Sequence, residues 1–120
     1  MEKTTIWRYG DIKMLTADIK IEYDAQSQTL TLIITGEIDH HSVGRLREQA
    51  DRELAVRRPK ELVIDVSGVT FMDSSGLGFI LGRYGKAEPL GATTTVKGAS
   101  PLIHRILRLS GADTFVKVLK

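Results

Sequence analysis

Residues 61–84 read "ELVIDVSGVTFMDSSGLGFILGRY", and the way this stretch divides decides the fold. Its first seven residues, 61–67, carry too little polar interruption for a half-exposed strand, and such a run suits a central strand covered on both faces. From Leu77 onward the period changes. Leu77, Ile80, Leu81 and Tyr84 fall at i, i+3, i+4 and i+7, which is a core-facing helical stripe. A strand therefore passes into a helix that begins at or just before Gly76. Asp73, Ser74 and Ser75 then occupy its capping region, where a side-chain oxygen accepts a hydrogen bond from an otherwise unpaired backbone N–H.

Working outward, "ADIKIEY" (17–23) alternates Ile19, Ile21 and Tyr23 against polar neighbours, and "QTLTLIIT" (28–35) alternates Leu30 and Leu32. The turn-forming "DAQS" between them makes the two an antiparallel hairpin. Between 39 and 58, Val43, Leu46, Ala50 and Leu54 recur at helical spacing, with Arg47–Asp51 and Glu48–Arg52 as i,i+4 charge pairs. Asp39 or Ser42 is the cap expected for that helix, and Pro59 lies past its end. "GATTTVKG" (91–98) is a strand rich in β-branched residues. Ser100 and Pro101 open a helix bearing Leu102, Ile103, Ile106 and Leu107, Gly111 closes it, and "DTFVKVL" (113–119) is a last strand. The expected order is β-β-α-β-α-β-α-β, an α/β domain with a mixed sheet and crossover helices over residues 17–120. Residues 1–16, with Ile6, Trp7 and Tyr9, read as an N-terminal extension.

At 120 residues and 42% hydrophobic content the chain suffices for one core and not for two ordinary domains. A net charge of +2 argues against direct nucleic-acid binding. The absence of cysteine excludes disulfides and thiolate metal sites, and no apolar run approaches a membrane span. The expectation is a cytoplasmic protein that neither spans a membrane nor binds one.

Each interior glycine weakens a helix by ~1 kcal/mol relative to alanine, so Gly78 and Gly82, one turn apart, need a reason. A smooth glycine face lets another backbone or a partner protein approach closely. Phe79 and Arg83, beside those glycines and off the expected core stripe, are residue types favoured at interfaces. The expectation is a helix anchored on one side and left as a docking surface on the other.

Enzymatic readings fare worse. The nucleophile elbow G-x-S-x-G needs glycine two residues before the serine, where Met72 and Asp73 stand for Ser74 and Ser75. A dinucleotide fingerprint begun by Gly76 and Gly78 fails at Leu81. Glu37, Asp39, His40 and His41 make one cluster of metal-binding types, but adjacent histidines diverge and the i,i+4 spacing is missing. No metal, cofactor or catalytic residue is expected, and that cluster reads as a polar loop near the helix mouth.

"TGEIDHHSVGRLREQAD", "VIDVSGVTFMDSSGLGFILGRY" and "SPLIHRILRLSGADTFVKV" together resemble the signature regions of the anti-sigma factor antagonists of endospore-forming bacteria, which are STAS-domain proteins. The resemblance spans roughly residues 17 to 119. It implies a STAS-like fold and a binding function without enzymatic activity. The implied partner is an anti-sigma factor that is also a serine kinase; binding it frees a sporulation sigma factor. The implied switch is phosphorylation of the second serine of D-S-S-G, here Ser75, reversed by a serine phosphatase. The partner-binding set expected on this basis is Asp39, His40, His41, Asp73, Ser74, Ser75, Gly76, Gly78, Phe79, Gly82 and Arg83. STAS modules of general stress cascades and of transporters share these features and form the alternative.

Overall fold

The computed structural model describes residues 17–119; the expected extension at 1–16 lies outside them. The elements are β1 (Ala17–Asp24), β2 (Thr29–Ile38), α1 (Val43–Arg57), β3 (Glu61–Met72), α2 (Ser74–Ala87), β4 (Thr93–Lys97), α3 (Pro101–Ser110) and β5 (Lys117–Leu119). Short 3₁₀ turns at Glu88–Leu90 and Ala112–Thr114 follow α2 and α3. This is the element order expected from the sequence. In "GKAEPLG" (85–91) the first three residues end α2, the first of these turns covers Glu88–Leu90, and Gly91 closes it at φ 81°.

The five strands lie in the order β1-β2-β3-β4-β5. β1 is antiparallel to β2, while β2 to β5 are mutually parallel. Each parallel connection steps one strand in the same direction, and the right-handed rule for such crossovers then sends all three helices to one face. The core agrees. Leu30 and Leu32 pair in register with Leu62 and Ile64, and Ile64 with Val96. These join Leu46, Ala50 and Leu54 of α1, Phe79 and Ile80 of α2, and Ile103 and Leu107 of α3 in a single buried cluster.

The opposite face corrects the expectation that β3 is covered on both sides. Leu62, Ile64 and Val66 are buried, but the alternate residues Val63 and Asp65 are only half-buried. Their neighbours on that face are Thr31, Ile33 and Thr95, also half-buried. Among the described residues, a one-sided stack of crossover helices leaves this face to threonines and β-branched side chains rather than to a second layer.

β3 also runs five residues past the expected end. Its pairing with β4 stops at Asp65↔Lys97, yet it continues beside β2 to Ile38↔Met72 through register shifts near residues 33–37. Gly68 permits this close approach: a Cβ there would lie 2.7 Å from Thr35 Cγ2 and 3.4 Å from the Ile34 carbonyl. The ends of β2 and β3 therefore project together beyond β4. That ribbon carries the site.

Candidate functional site

Because Ile38 pairs with Met72, the chain leaves β2 and β3 at the same point, and the Asp73 N–H donates to the Ile38 carbonyl at 3.3 Å. On the β2 side, the Asp39 carboxylate accepts hydrogen bonds from the His41 and Ser42 N–H groups at 3.0 and 3.1 Å. The buried Ser42 hydroxyl accepts in turn from the Asp39 N–H at 3.2 Å. Desolvation opposes ionisation of Asp39, but the Ser42 and His41 N–H groups and the His41 ring outweigh it and hold the carboxyl below its ordinary pKa. His40 and His41 are exposed, with ring centroids 3.9 Å apart. Asp39 thus ties down a short loop and presents two imidazoles outward.

On the β3 side, Asp73 is the N-cap of α2, its carboxylate accepting from the Ser75 N–H at 2.7 Å. The helix starts at Ser74, two residues earlier than the stripe at Leu77 suggested, so both serines lie inside its first turn. Ser74 is exposed and Ser75 half-buried. The positive end of the helix dipole sits at these residues. An added negative charge would be tolerated there.

The faces of α2 are rotated relative to expectation. Its buried set is Gly76, Phe79, Ile80, Arg83 and Ala87, whereas Leu77, Leu81 and Tyr84 flank that set and are partly buried. Phe79 and Arg83, expected at an interface, are corrected to interior residues, 2% and 3% exposed. Phe79 fills the core, and Arg83 Nε lies 2.9 Å from Asp51 Oδ1 on α1. That contact also replaces the expected Arg47–Asp51 pair. Gly76, expected in the partner-binding set, is likewise corrected to a packing residue: a Cβ there would stand 2.6 Å from Met72 Cβ.

Among the described residues, a Cβ added at Gly78 or Gly82 would meet nothing within 4 Å, and Gly85 extends the row. Gly85 escaped the sequence reading, although its i+7 spacing from Gly78 held the signal. Ser74, Gly78, Gly82 and Gly85 share about one quarter of the helix circumference at 100° per residue. Phe71 was also missed. It is 45% exposed, faces Glu37 across the β2–β3 ribbon and precedes Asp73 by two residues. Strand alternation would have flagged it only once the true length of β3 was known.

Among the described residues no grouping of three His, Cys, Asp or Glu side chains could hold a metal ion, and no helix is long and apolar enough to cross a membrane. The site offers a capped helix mouth, a bare helical row and an exposed phenylalanine. It suits contact with another protein surface.

Residues 21–119 match the family model described as "Mlab, STAS domain". The chain belongs to the STAS-domain family. It is 36% identical over 94 residues to the anti-sigma F factor antagonist of Paenibacillus polymyxa, covering 78% of this chain and 80% of that protein. It is 26% identical over 105 residues to the anti-sigma-B factor antagonist of Listeria monocytogenes, covering 84% and 89%. The STAS fold is shared with the anti-sigma factor antagonist SpoIIAA in its unphosphorylated form, at TM-score 0.72 and 24% identity over 86% of this chain and 89% of that one. The phosphorylated form of Bacillus SpoIIAA gives TM-score 0.67 at 24% identity, covering 86% and 92%.

Proposed function

We propose that this STAS domain is an anti-sigma factor antagonist. It binds an anti-sigma factor that is also a serine kinase, and so releases a sporulation sigma factor. Phosphorylation of Ser75 by that kinase switches it off, and a serine phosphatase restores it. The chain acts as a cytoplasmic binding partner, performs no catalysis itself, and needs no cofactor, nucleic acid or membrane.

The observation that carries this reading is the surroundings of Ser75. It sits in the first turn of α2, half-buried, with its N–H held by Asp73. Beside it runs the open row Gly78, Gly82 and Gly85. A phosphoryl group there adds about −1.5 to −2 charges at pH 7. The helix dipole favours that charge within the domain. Inside a packed interface the same charge must be desolvated, and it meets any carboxylate the partner presents. Phosphorylation thus expels the partner and spares the fold. Asp39, His40, His41, Asp73 and Ser74 rim the contact surface in this reading, and exposed Phe71 is its apolar anchor.

The test mixes the purified protein with the candidate kinase and ATP, maps phosphate by mass spectrometry and follows complex formation. One phosphate on Ser75 and loss of the complex as it accumulates is the expected result. Ser75→Ala keeps binding and takes no phosphate there, whereas Ser75→Asp binds at least about tenfold more weakly. Phosphate on Ser74 instead would move the switch by one residue. Tight binding by Ser75→Asp would count against the charge mechanism.

The 26% identity to an anti-sigma-B antagonist favours a second reading, a STAS module of a stress cascade with the same chemistry and another partner. The higher identity to an anti-sigma F antagonist ranks it second.

A further inference from the structure

Arg83 is the charged member of the buried face of α2. Its side chain is 4% exposed and that of its partner Asp51 is 27% exposed. The guanidinium carbon lies 5.0 Å from the Phe79 ring centroid, so the cation is held between the aromatic face of α2 and the carboxylate of α1. The pairing is imperfect. Although Nε is 2.9 Å from Asp51 Oδ1, the two do not align as a hydrogen bond, and buried Nη1 has no hydrogen-bond partner among the described residues. Burial pulls the Arg83 pKa down, opposed by Asp51 and reinforced by Arg47.

A buried ion pair of this quality is a poor source of stability, since well-packed apolar residues of similar size commonly do as well or better. It does supply direction. Apolar surfaces can slide or rotate against each other, but opposite buried charges meet in one register. Here that register joins the two helices whose starts form the mouth: α1 follows the loop tied by Asp39, and α2 opens at Ser74.

We propose that Arg83 and Asp51 are positioning residues of the mouth, fixing where Ser75 stands relative to the 39–42 loop from a contact along the α1–α2 seam; this rests on the reading of Ser75 as the phosphorylated residue. The test compares the full-length chain with the Arg83→Met/Asp51→Leu double variant. Thermal unfolding, amide exchange at Ser75 in the protein alone, and the rate of phosphoryl transfer to Ser75 are measured on both. The expected result is a midpoint at or above wild type, with Ser75 exchange about tenfold faster and phosphoryl transfer about tenfold slower. If the double variant fails to fold, Arg83→Lys replaces it. That variant keeps the charge and loses the planar fork, and faster exchange at Ser75 is again expected. Wild-type exchange at Ser75 in the folded variant overturns the proposal, as does wild-type phosphoryl transfer despite faster exchange. A wild-type chain that takes no phosphate overturns the phosphorylation reading instead, while the exchange measurement still decides the positioning role.

Discussion

α2 and α3 do the same topological work, each leading from one parallel strand to the next, yet they are built by different rules. α3 has Ser100 as N-cap, accepting from the Ile103 N–H at 3.2 Å, Pro101 at its first position and Gly111 at φ 83° as its stop. Its interior carries no glycine and its buried residues are Ile103 and Leu107. α2 has an equally good cap in Asp73 but carries three glycines on its open side and an arginine on its buried side. Packing on the same sheet face does not require those exceptions, because α3 manages without them. Where local rules are broken at no structural need, function is the better explanation.

The two phenylalanines of the site region give the largest test of this contrast. Phe79→Ala empties a core position that is 2% exposed, and a loss of about 3–5 kcal/mol is expected in denaturant unfolding. Phe71→Ala, at 45% exposure, should stay within about 0.5 kcal/mol of wild type. Its effect belongs on partner affinity, which should fall by about tenfold or more if it anchors the interface. Equal affinity for Phe71→Ala and wild type would remove Phe71 from the surface.

The helix caps come next. Asp73→Ala and Ser100→Ala should each destabilise by ~1 kcal/mol. They part in function: Asp73→Ala frees the Ser75 N–H and should slow phosphorylation, whereas Ser100→Ala should leave it unchanged. Equal slowing by both would mean that global stability rather than mouth geometry sets the rate.

The glycine row sharpens the comparison with a change of opposite sign. Gly78→Ala and Gly82→Ala place a methyl with no neighbour within 4 Å among the described residues, so each should stabilise α2 by up to ~1 kcal/mol. The same methyls roughen the proposed docking face. Higher melting temperature with weaker partner binding is the expected pair of outcomes, and stabilisation without loss of affinity would show the row to be outside the interface.

Most of the fold was legible because hydrophobic period and turn chemistry are local. The Ser100-Pro101 start, the Gly111 stop and the β-β-α-β-α-β-α-β order follow from residues within a few positions of one another. What failed was non-local. The burial of Phe79 and Arg83 depends on how α2 rotates against α1, and four apolar residues at i, i+3, i+4 and i+7 set that rotation only loosely. Likewise "ELVIDVS" looked covered on both faces because its sequence cannot say that all three crossovers pass on one side. Gly76, Gly78 and Gly82 looked alike in the chain, and only the neighbouring Met72 separates a packing glycine from two exposed ones.

The smallest expected effect concerns the other half of the mouth. The Asp39 carboxyl is held below the ordinary aspartate value of 3.8 because, against desolvation, the Ser42 and His41 N–H groups favour its charged form. A carboxyl whose folded pKa is depressed contributes stability that is present above the unfolded value and lost as pH falls through the folded one. The loop should therefore loosen below about pH 3.8, read as faster amide exchange at His41 and Ser42 than at Ile103. Asp39→Asn keeps one acceptor oxygen and removes the titration, so it should flatten that pH dependence. Ile103 provides the internal reference because a hydroxyl, that of Ser100, caps its N–H. If Asp39→Asn left the pH dependence at His41 and Ser42 intact, the ordering of this loop would have to be assigned to the buried Ser42 hydroxyl instead.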